Sequence, residues 1–382
     1  NNNDLSAGIR RVLDDQKGYY LIGYRPDEST FDPKTGRRTF HKISIKVKRP
    51  GVKVRSRTGF FGVSDEEAAP RPRTPAQQMI YALTSPFAES GVHLRLTSLY
   101  ANDPKQGSFM RSLLHIDARD LTFTDEPDGW HKTVFDILAI TFGDSGSVID
   151  QVSRTHTVRI RGDTYKRVLE SGLVYYLTVP VKNPGAYQMR TALLDSASDH
   201  IGSASQFIEV PDIKKNRLTI SGIVVAGISP AAKAKADEKE TASARGGDQL
   251  QESNAAGVTA KTESEEFNDP QSTPAVRKFH GGMLMQFNYV IYNAQLDKAT
   301  KLPQLQTQIR LFKDGKEVFA GKAQPFNPAN QLDLKRLSAG GVLQLGTDMT
   351  PGEYILQVVV TDPLAKDKYR VATQWIDFEI VK

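Results

Sequence analysis

The chain has 382 residues, of which 39% are hydrophobic and 8% aromatic, and it carries a formal net charge of +6. Its length suggests two or three domains, and its composition allows packed cores beside a polar segment. Cysteine is absent, which excludes disulfides, cysteine-ligated zinc and thiol catalysis. The sequence has no apolar run long enough to predict a membrane-spanning helix.

Positive charge is concentrated at the front of the chain. Residues 1–60 hold 14 Lys and Arg against six Asp and Glu, an excess of eight, so the remainder is close to neutral. A general nucleic-acid binder is expected to spread its charge more widely than this. We therefore predict no specific nucleic-acid partner.

Residues 1–62 have the pattern of the last part of an α/β domain. Apolar residues spaced i, i+4, i+7 and i+8 predict a helix over 4–16, and an apolar run predicts a buried strand over 19–24. Alternation over 40–47, followed by a second run over 52–55, predicts an antiparallel hairpin. We expect the missing strands to precede residue 1 in a longer precursor.

A linker with a short helix is predicted at 63–90, where Thr74-Pro75 marks the helix start and Leu83 its end. From there the pattern becomes mainly β. Short strands separated by polar turns predict two tandem antiparallel β-sandwich modules of the Ig/Fn3-like kind, at 91–211 and 212–382.

A repeated motif supports the two modules. Each carries a Pro-Gly turn before a strand that begins with a tyrosine, Tyr187 in the first and Tyr354 in the second, and an aspartate follows eight residues later. In a sandwich corner, such a tyrosine returns its hydroxyl to nearby backbone. Residues 142–148 and 312–318 match as hairpin turns, which favours two copies of one fold.

The second module is interrupted by an insertion at about 229–275. Its residues are mostly Ala, Lys, Glu, Ser, Gly and Asn, with almost no large apolar side chain. Such a composition cannot bury a core, so the insertion is predicted to be disordered.

The candidate catalytic and metal-binding motifs favour plain structural interpretations. Residues 143–147 resemble a serine-protease loop, but no histidine base accompanies them. The seven histidines lack the spacing of converging zinc ligands, and the loop acids at 125–128 and 195–199 lack calcium-loop spacing. The tripeptide Arg161-Gly162-Asp163 is predicted to be a turn. We assign no catalytic residue, no cofactor and no metal ligand.

Basic residues of the predicted hairpin are the strongest surface feature. We expect them to line one face of paired strands, where they can hold an anionic partner or protect a sheet edge from aggregation. They are Lys42, Lys46, Lys48, Lys53, Arg55 and Arg57.

Two segments carry a family resemblance. Residues 13–26, from Leu-Asp-Asp-Gln-Lys-Gly-Tyr-Tyr to Tyr-Arg-Pro, and residues 40–61 resemble the end of the von Willebrand factor A-related domain in the VWFA-related proteins that are abundant in acidobacteria. The resemblance implies an exported protein with a leader, an α/β domain and a β-rich C-terminal region. The metal loop of that domain would lie before residue 1.

These observations predict a non-enzymatic, exported binding protein, located outside the cell, in the periplasm or on the cell surface, with a protein or surface-glycan partner. Two alternatives remain open. The chain could be the accessory region of an extracellular hydrolase, or it could bind an anionic polymer through the basic residues within 42–57.

Overall fold

The computed structural model describes residues 40–48, 54, 57–61, 74–143, 146–228, 257–259, 270–329 and 331–382. The chain divides into two compact units, one of residues 1–78 with 85–87 and one of 79–84 with 88–382. The helix predicted at 4–16 and the strand predicted at 19–24 lie outside the described residues. No helix in the described part is long and apolar enough to cross a membrane.

The first unit contains a short antiparallel pair, β1 (Phe40–Lys42) and β2 (Gly59–Phe61). The rings of Phe40 and Phe61 meet edge to face at 5.1 Å. The described pairing covers the start of the predicted strand 40–47, and beyond it the Ile43 amide donates to the Thr58 carbonyl at 2.9 Å. Residues 52, 53 and 55 of the predicted partner strand lie outside the described residues. Ile45 and Val47 are exposed, so their alternation has no buried face to stabilise a longer strand.

Helix α1 (Pro75–Thr84) confirms the predicted short helix. Thr74 is its N-cap: the Gln77 amide donates to the Thr74 hydroxyl, and the Gln77 side chain accepts from the Thr74 amide, both at 3.2 Å. This reciprocal pair is a capping box. Pro75 suits the first helical position because proline has no amide N–H, and an amide there would have no partner within the helix.

The first sandwich consists of two sheets and a helix. One sheet has the order β10-β9-β6, with β5 and β7 also paired to β6, and the other has the order β8-β4-β3. The elements are β3 (Leu94–Asp103), β4 (Gly107–Ile116), β5 (Thr124–Glu126), β6 (Trp130–Phe142), β7 (Val148–Arg161), α2 (Gly162–Ser171), β8 (Leu173–Pro180), β9 (Gly185–Asp195) and β10 (Ile201–Val210).

The second sandwich repeats this order. Its strands are β11 (Thr219–Ile220), β12 (Val224–Ile228), β14 (Lys278–His280), β15 (Leu284–Tyr292), β16 (Gln306–Lys313), β17 (Lys316–Ala320), β18 (Gln324–Pro325), β19 (Arg336–Gln344), β20 (Gly352–Thr361) and β21 (Val371–Val381). Strand β13 (Gly257–Thr259) lies between β12 and β14 in the chain but joins β8 of the first sandwich. In one sheet β15 pairs with β11, β12 and β19. The other has the order β14-β21-β20-β16-β17, with β18 also on β16.

The strand orders confirm the predicted duplication. The run β10-β9-β6-β7 of the first sandwich corresponds to β21-β20-β16-β17 of the second. In the other sheet, β3 corresponds to β11 and β12 together, β4 corresponds to β15, and β8 corresponds to β19. The protein is therefore mainly β, with two sandwiches of one topology, in which every described strand pair is antiparallel except β14 with β21.

The predicted disordered insertion is partly wrong. Strand β13 lies within 229–275 and pairs antiparallel with β8 of the first sandwich. The end of the segment is also ordered, because Thr273 and Ala275 are buried and Ala275 belongs to the second core. Low apolar content therefore did not prevent β13 from pairing with β8 or Ala275 from joining the second core. Residues 229–256 and 260–269 lie outside the described residues.

The two sandwiches share a buried face. Leu99 on β3 and Leu113 on β4 belong to the core of the second sandwich rather than to their own. The amide of Gly222 donates to the Tyr100 carbonyl at 2.8 Å, and a Cβ at Gly222 would lie 2.8 Å from the Leu99 Cβ. The sheet β8-β4-β3 is thus buried on both faces, which joins the modules into one body.

Candidate functional site

Both tyrosine corners form as predicted. Tyr187 is buried and its hydroxyl donates to the Asn183 carbonyl at 2.6 Å. Tyr354 is buried and its hydroxyl donates to the Thr350 carbonyl at 2.9 Å. Each bond spans four residues and fixes the turn that starts a central strand, so these tyrosines stabilise the fold.

The aspartates eight residues further on are structural too. Asp195 and Asp362 are fully buried. The Asp195 carboxylate accepts from the Thr122 amide at 3.1 Å, and the Asp362 carboxylate accepts from the Gln295 amide at 2.8 Å. Each carboxylate thereby accepts a hydrogen bond from a loop amide, and the two aspartates occupy equivalent positions in the two sandwiches.

The protease-like loop and the Arg-Gly-Asp tripeptide occupy ordinary turns and element junctions. The Gly143 amide donates to the Ser147 carbonyl at 2.9 Å, which confirms a hairpin turn, although 144–145 lie outside the described residues. Arg161 ends β7 and Asp163 lies in the first turn of α2, so the Arg-Gly-Asp tripeptide is a strand-to-helix junction rather than a simple turn. In the described part of the chain, no three His, Asp or Glu side chains converge as metal ligands.

The described residues include only part of the predicted basic row. Lys42 lies on β1, whereas Lys46, Lys48 and Arg57 are exposed outside β1 and β2. Lys53 and Arg55 lie outside the described residues. Lys42 pairs with Gly59, and the ladder continues to the Ile43 amide, which donates to the Thr58 carbonyl at 2.9 Å. The alignment of all six basic residues on one face therefore stays a prediction.

A buried arginine, which the sequence did not reveal, ties the sandwiches together. The Arg277 side chain is 3% exposed. It donates through Nη2 to both carboxylate oxygens of Asp377, at 3.1 and 3.2 Å, and through Nε to the Asp377 carbonyl at 2.8 Å. Its Nη1 donates to the Thr97 hydroxyl in the first sandwich. Arg95 of β3 donates to the same carboxylate at 2.7 Å.

The charges of this cluster depend on one another. Burial lowers the pKa of Arg277 to about 10, with the nearby Asp377 opposing that shift. Burial works to raise the pKa of Asp377, but the positive charges of Arg277 and Arg95 outweigh it and hold that pKa below its usual range. The cluster is therefore ionised at neutral pH and serves as a link between the modules.

The most unusual surface is the outward side of β16, β20 and β21. Trp375 is 61% exposed there, while the alternate residues Ile376 and Phe378 are buried in the second core. We name this surface the Trp375 face. Its members are Trp375, Gln357, Arg310, Gln308, Val359 and Ile355.

Polar side chains of the Trp375 face form an ordered row. Trp375 pairs across the sheet with Gln357, which pairs with Arg310 on β16. Arg310 donates through Nε and Nη2 to the Gln308 side-chain oxygen at 3.2 and 3.1 Å, and Gln308 donates to the Gly321 carbonyl at 2.8 Å. The Arg310 Nη1 also lies 3.7 Å from the Glu317 carboxylate.

The equivalent face of the first sandwich is covered by α1. Met79, Ala82 and Leu83 pack with Leu138 and Leu194 in a small core of their own. In addition, Nη1 of Arg190 donates to the Leu83 carbonyl at 2.6 Å, which satisfies one of the last carbonyls of the helix.

Comparisons with known proteins show only distant similarity. A scan against protein-family models and a search of curated proteins gave no match. A β-glucuronidase of Parabacteroides merdae is similar over 81% of this chain and 33% of its own, with 11% identity and a TM-score of 0.23. A β-glucuronidase of Bacteroides uniformis is similar over 35% and 14%, with 10% identity and a TM-score of 0.19.

The C-terminal domain of the Streptococcus pyogenes antigen I/II-family protein AspA is similar over 76% of this chain and 99% of that domain, with 9% identity and a TM-score of 0.18. The chain matches a third or less of the length of the two glucuronidases. Similarities with TM-scores this low carry no argument about function.

Proposed function

We propose that this chain is a non-enzymatic, exported binding protein whose joined sandwiches present the Trp375 face to a protein or glycan partner. The observation that carries the proposal is the 61% exposure of Trp375 on an open sheet face. Tryptophan is highly buried on average in folded proteins, and it is enriched among the residues that dominate binding energy.

The scaffold supports such a role. The shared core and the Arg277–Asp377 link hold the second sandwich against the first, so the Trp375 face lies on a preorganised body. Preorganisation reduces the entropy that a partner must remove on binding. The resemblance of 13–26 and 40–61 to exported proteins supports a location outside the cytoplasm.

A matched pair of variants tests the proposal. Trp375→Ala removes the exposed indole, and Phe207→Ala removes a 66% exposed ring from the last strand of the first sandwich. Each variant and the unaltered chain are immobilised and exposed to a polysaccharide panel and to purified extracellular protein. We expect capture by the unaltered chain and Phe207→Ala, and its loss in Trp375→Ala. Equal capture by all three would overturn the proposal.

A further inference from the structure

We infer that the Trp375 face binds a linear, uncharged polysaccharide, with one sugar ring stacked on Trp375. This inference rests on the proposed function, because it takes the same face as the binding surface and names the class of its ligand.

The Trp375 face is unsuited to an apolar helix. In the first sandwich, Leu138 on β6 pairs with Ala192, five residues after Tyr187, and α1 covers this position. In the second, Gln308 on β16 pairs with Val359, five residues after Tyr354. A leucine that packs under a helix is thus replaced by an amide.

The neighbouring positions change in the same way. Ile140 packs partly against the α1 core, and its register equivalent in the second sandwich is Arg310. Leu194, buried in that core, corresponds to Thr361. Removing the Gln308 amide and the Arg310 guanidinium from water under an apolar helix would cost free energy, so a different type of ligand fits here.

The side chains of the Trp375 face are chemically complementary to a sugar ring. A pyranose ring has an apolar face of C–H groups, which packs on an indole plane, and a rim of hydroxyls, which donate and accept hydrogen bonds. Gln357 beside Trp375 offers both a donor and an acceptor, and Arg310 offers donors only. Arg310 and Gln308 are held by their mutual bonds, so little side-chain entropy is lost when they bind.

The spacing of the side chains on the face suits a linear polysaccharide. Trp375, Gln357 and Arg310 lie in one row on three neighbouring strands. Strands are about 4.8 Å apart, so the row spans about 10 Å. One sugar unit of a linear polysaccharide is roughly as long as one strand spacing of about 4.8 Å. A chain crossing the strands would therefore place successive rings over Trp375, Gln357 and Arg310.

The charged groups on and near the Trp375 face are largely paired. The Arg310 guanidinium lies near the Glu317 carboxylate, and the nearby Asp377 is paired with Arg95 and Arg277. These groups leave one net positive charge, and Arg277 is almost fully buried, so the face has only a weak field to attract an anionic polymer. Binding through stacking and neutral hydrogen bonds is expected to be nearly independent of ionic strength.

The experiment is affinity electrophoresis in native gels that contain a soluble β-1,4-glucan, a β-1,3-glucan, a mannan, heparin or polygalacturonate. We expect retardation by at least one neutral polymer at both low and high salt. Trp375→Ala should weaken it about tenfold or more. Gln357→Ala should weaken it less, and Trp375→Phe should keep part of it. Phe207→Ala should behave as the unaltered chain, and circular dichroism should show all variants folded.

The outcomes separate this inference from the proposed function. No retardation by any neutral polymer, or retardation unaffected by Trp375→Ala, overturns the glycan inference. Retardation by heparin or polygalacturonate alone, lost at high salt, overturns it in favour of an anionic ligand. If Trp375→Ala then still abolishes capture of extracellular protein, the Trp375 face remains a binding surface. If it changes neither readout, both proposals fail.

Discussion

Arg95 and Asp377 join the two sandwiches directly, with Nη2 of Arg95 2.7 Å from a carboxylate oxygen of Asp377. The same carboxylate neutralises Arg277, which is almost fully buried. Asp377 on the last strand thus pairs with Arg95 of the first sandwich and with Arg277, the residue directly before β14. This three-residue cluster makes the tandem modules one scaffold rather than two linked domains.

The first prediction concerns the loss of that acid. Asp377→Ala would leave the Arg277 charge buried and unpaired, so we expect the free energy of unfolding to fall by about 2–3 kcal/mol. Asp367→Ala, which breaks an exposed pair with Arg370, should cost about 0.5 kcal/mol or less. Urea denaturation measures both. Equal small losses would show that the buried cluster contributes nothing to stability.

The second prediction is a pH dependence. Because the folded pKa of Asp377 is lowered, the unfolded chain binds the proton first, and the stability from this group is present above about pH 4 and lost below it. The difference in unfolding free energy between the unaltered chain and Asp377→Asn should be constant near neutral pH and shrink on acidification. A difference that stays constant down to pH ~3 would contradict this assignment.

The third prediction compares the two tyrosine corners. Tyr187→Phe and Tyr354→Phe each remove one buried hydroxyl that donates to a turn carbonyl. We expect each to reduce the free energy of unfolding by about 1 kcal/mol. Tyr81→Phe is the control, because Tyr81 is exposed on α1. If the corner variants match this control, the corner hydrogen bonds do not stabilise the sandwiches.

The fourth prediction tests the shared face. A Cβ at Gly222 would lie 2.8 Å from the Leu99 Cβ and 3.1 Å from its Cα, so backbone must move to admit it. We expect Gly222→Ala to destabilise the chain by about 1–3 kcal/mol. Thermal unfolding measures this change. An unaltered melting temperature would mean that the two modules do not pack as closely as described.

Several features were predictable because they are local. The Thr74-Pro75 helix start, the Pro-Gly corners and the hairpin turn at 142–148 depend on residues within a few positions of one another. Helix α2 was not predicted, although Tyr165, Val168 and Leu169 have helical spacing, because this short segment lies between two strongly β-patterned runs.

The site was less predictable because its contacts are distant in sequence. Arg277 and Asp377 are 100 positions apart, and Arg277 directly follows a segment whose composition favours disorder. The exposure of Trp375 was also missed, although alternation places Trp375 on the polar face with Asp377 and Glu379, opposite the buried Ile376 and Phe378. Only the strand register shows that its counterpart in the first sandwich is Ser205.

Tryptophan fluorescence can show directly whether the Trp375 face binds an uncharged polysaccharide. The chain has two tryptophans, so Trp130→Phe leaves Trp375 as the single reporter. Acrylamide quenching is measured with and without the neutral polymer that retards the chain. We predict that the polymer protects Trp375 from acrylamide and shifts its emission to the blue. A chain that binds the polymer while Trp375 stays fully quenchable would contradict the account.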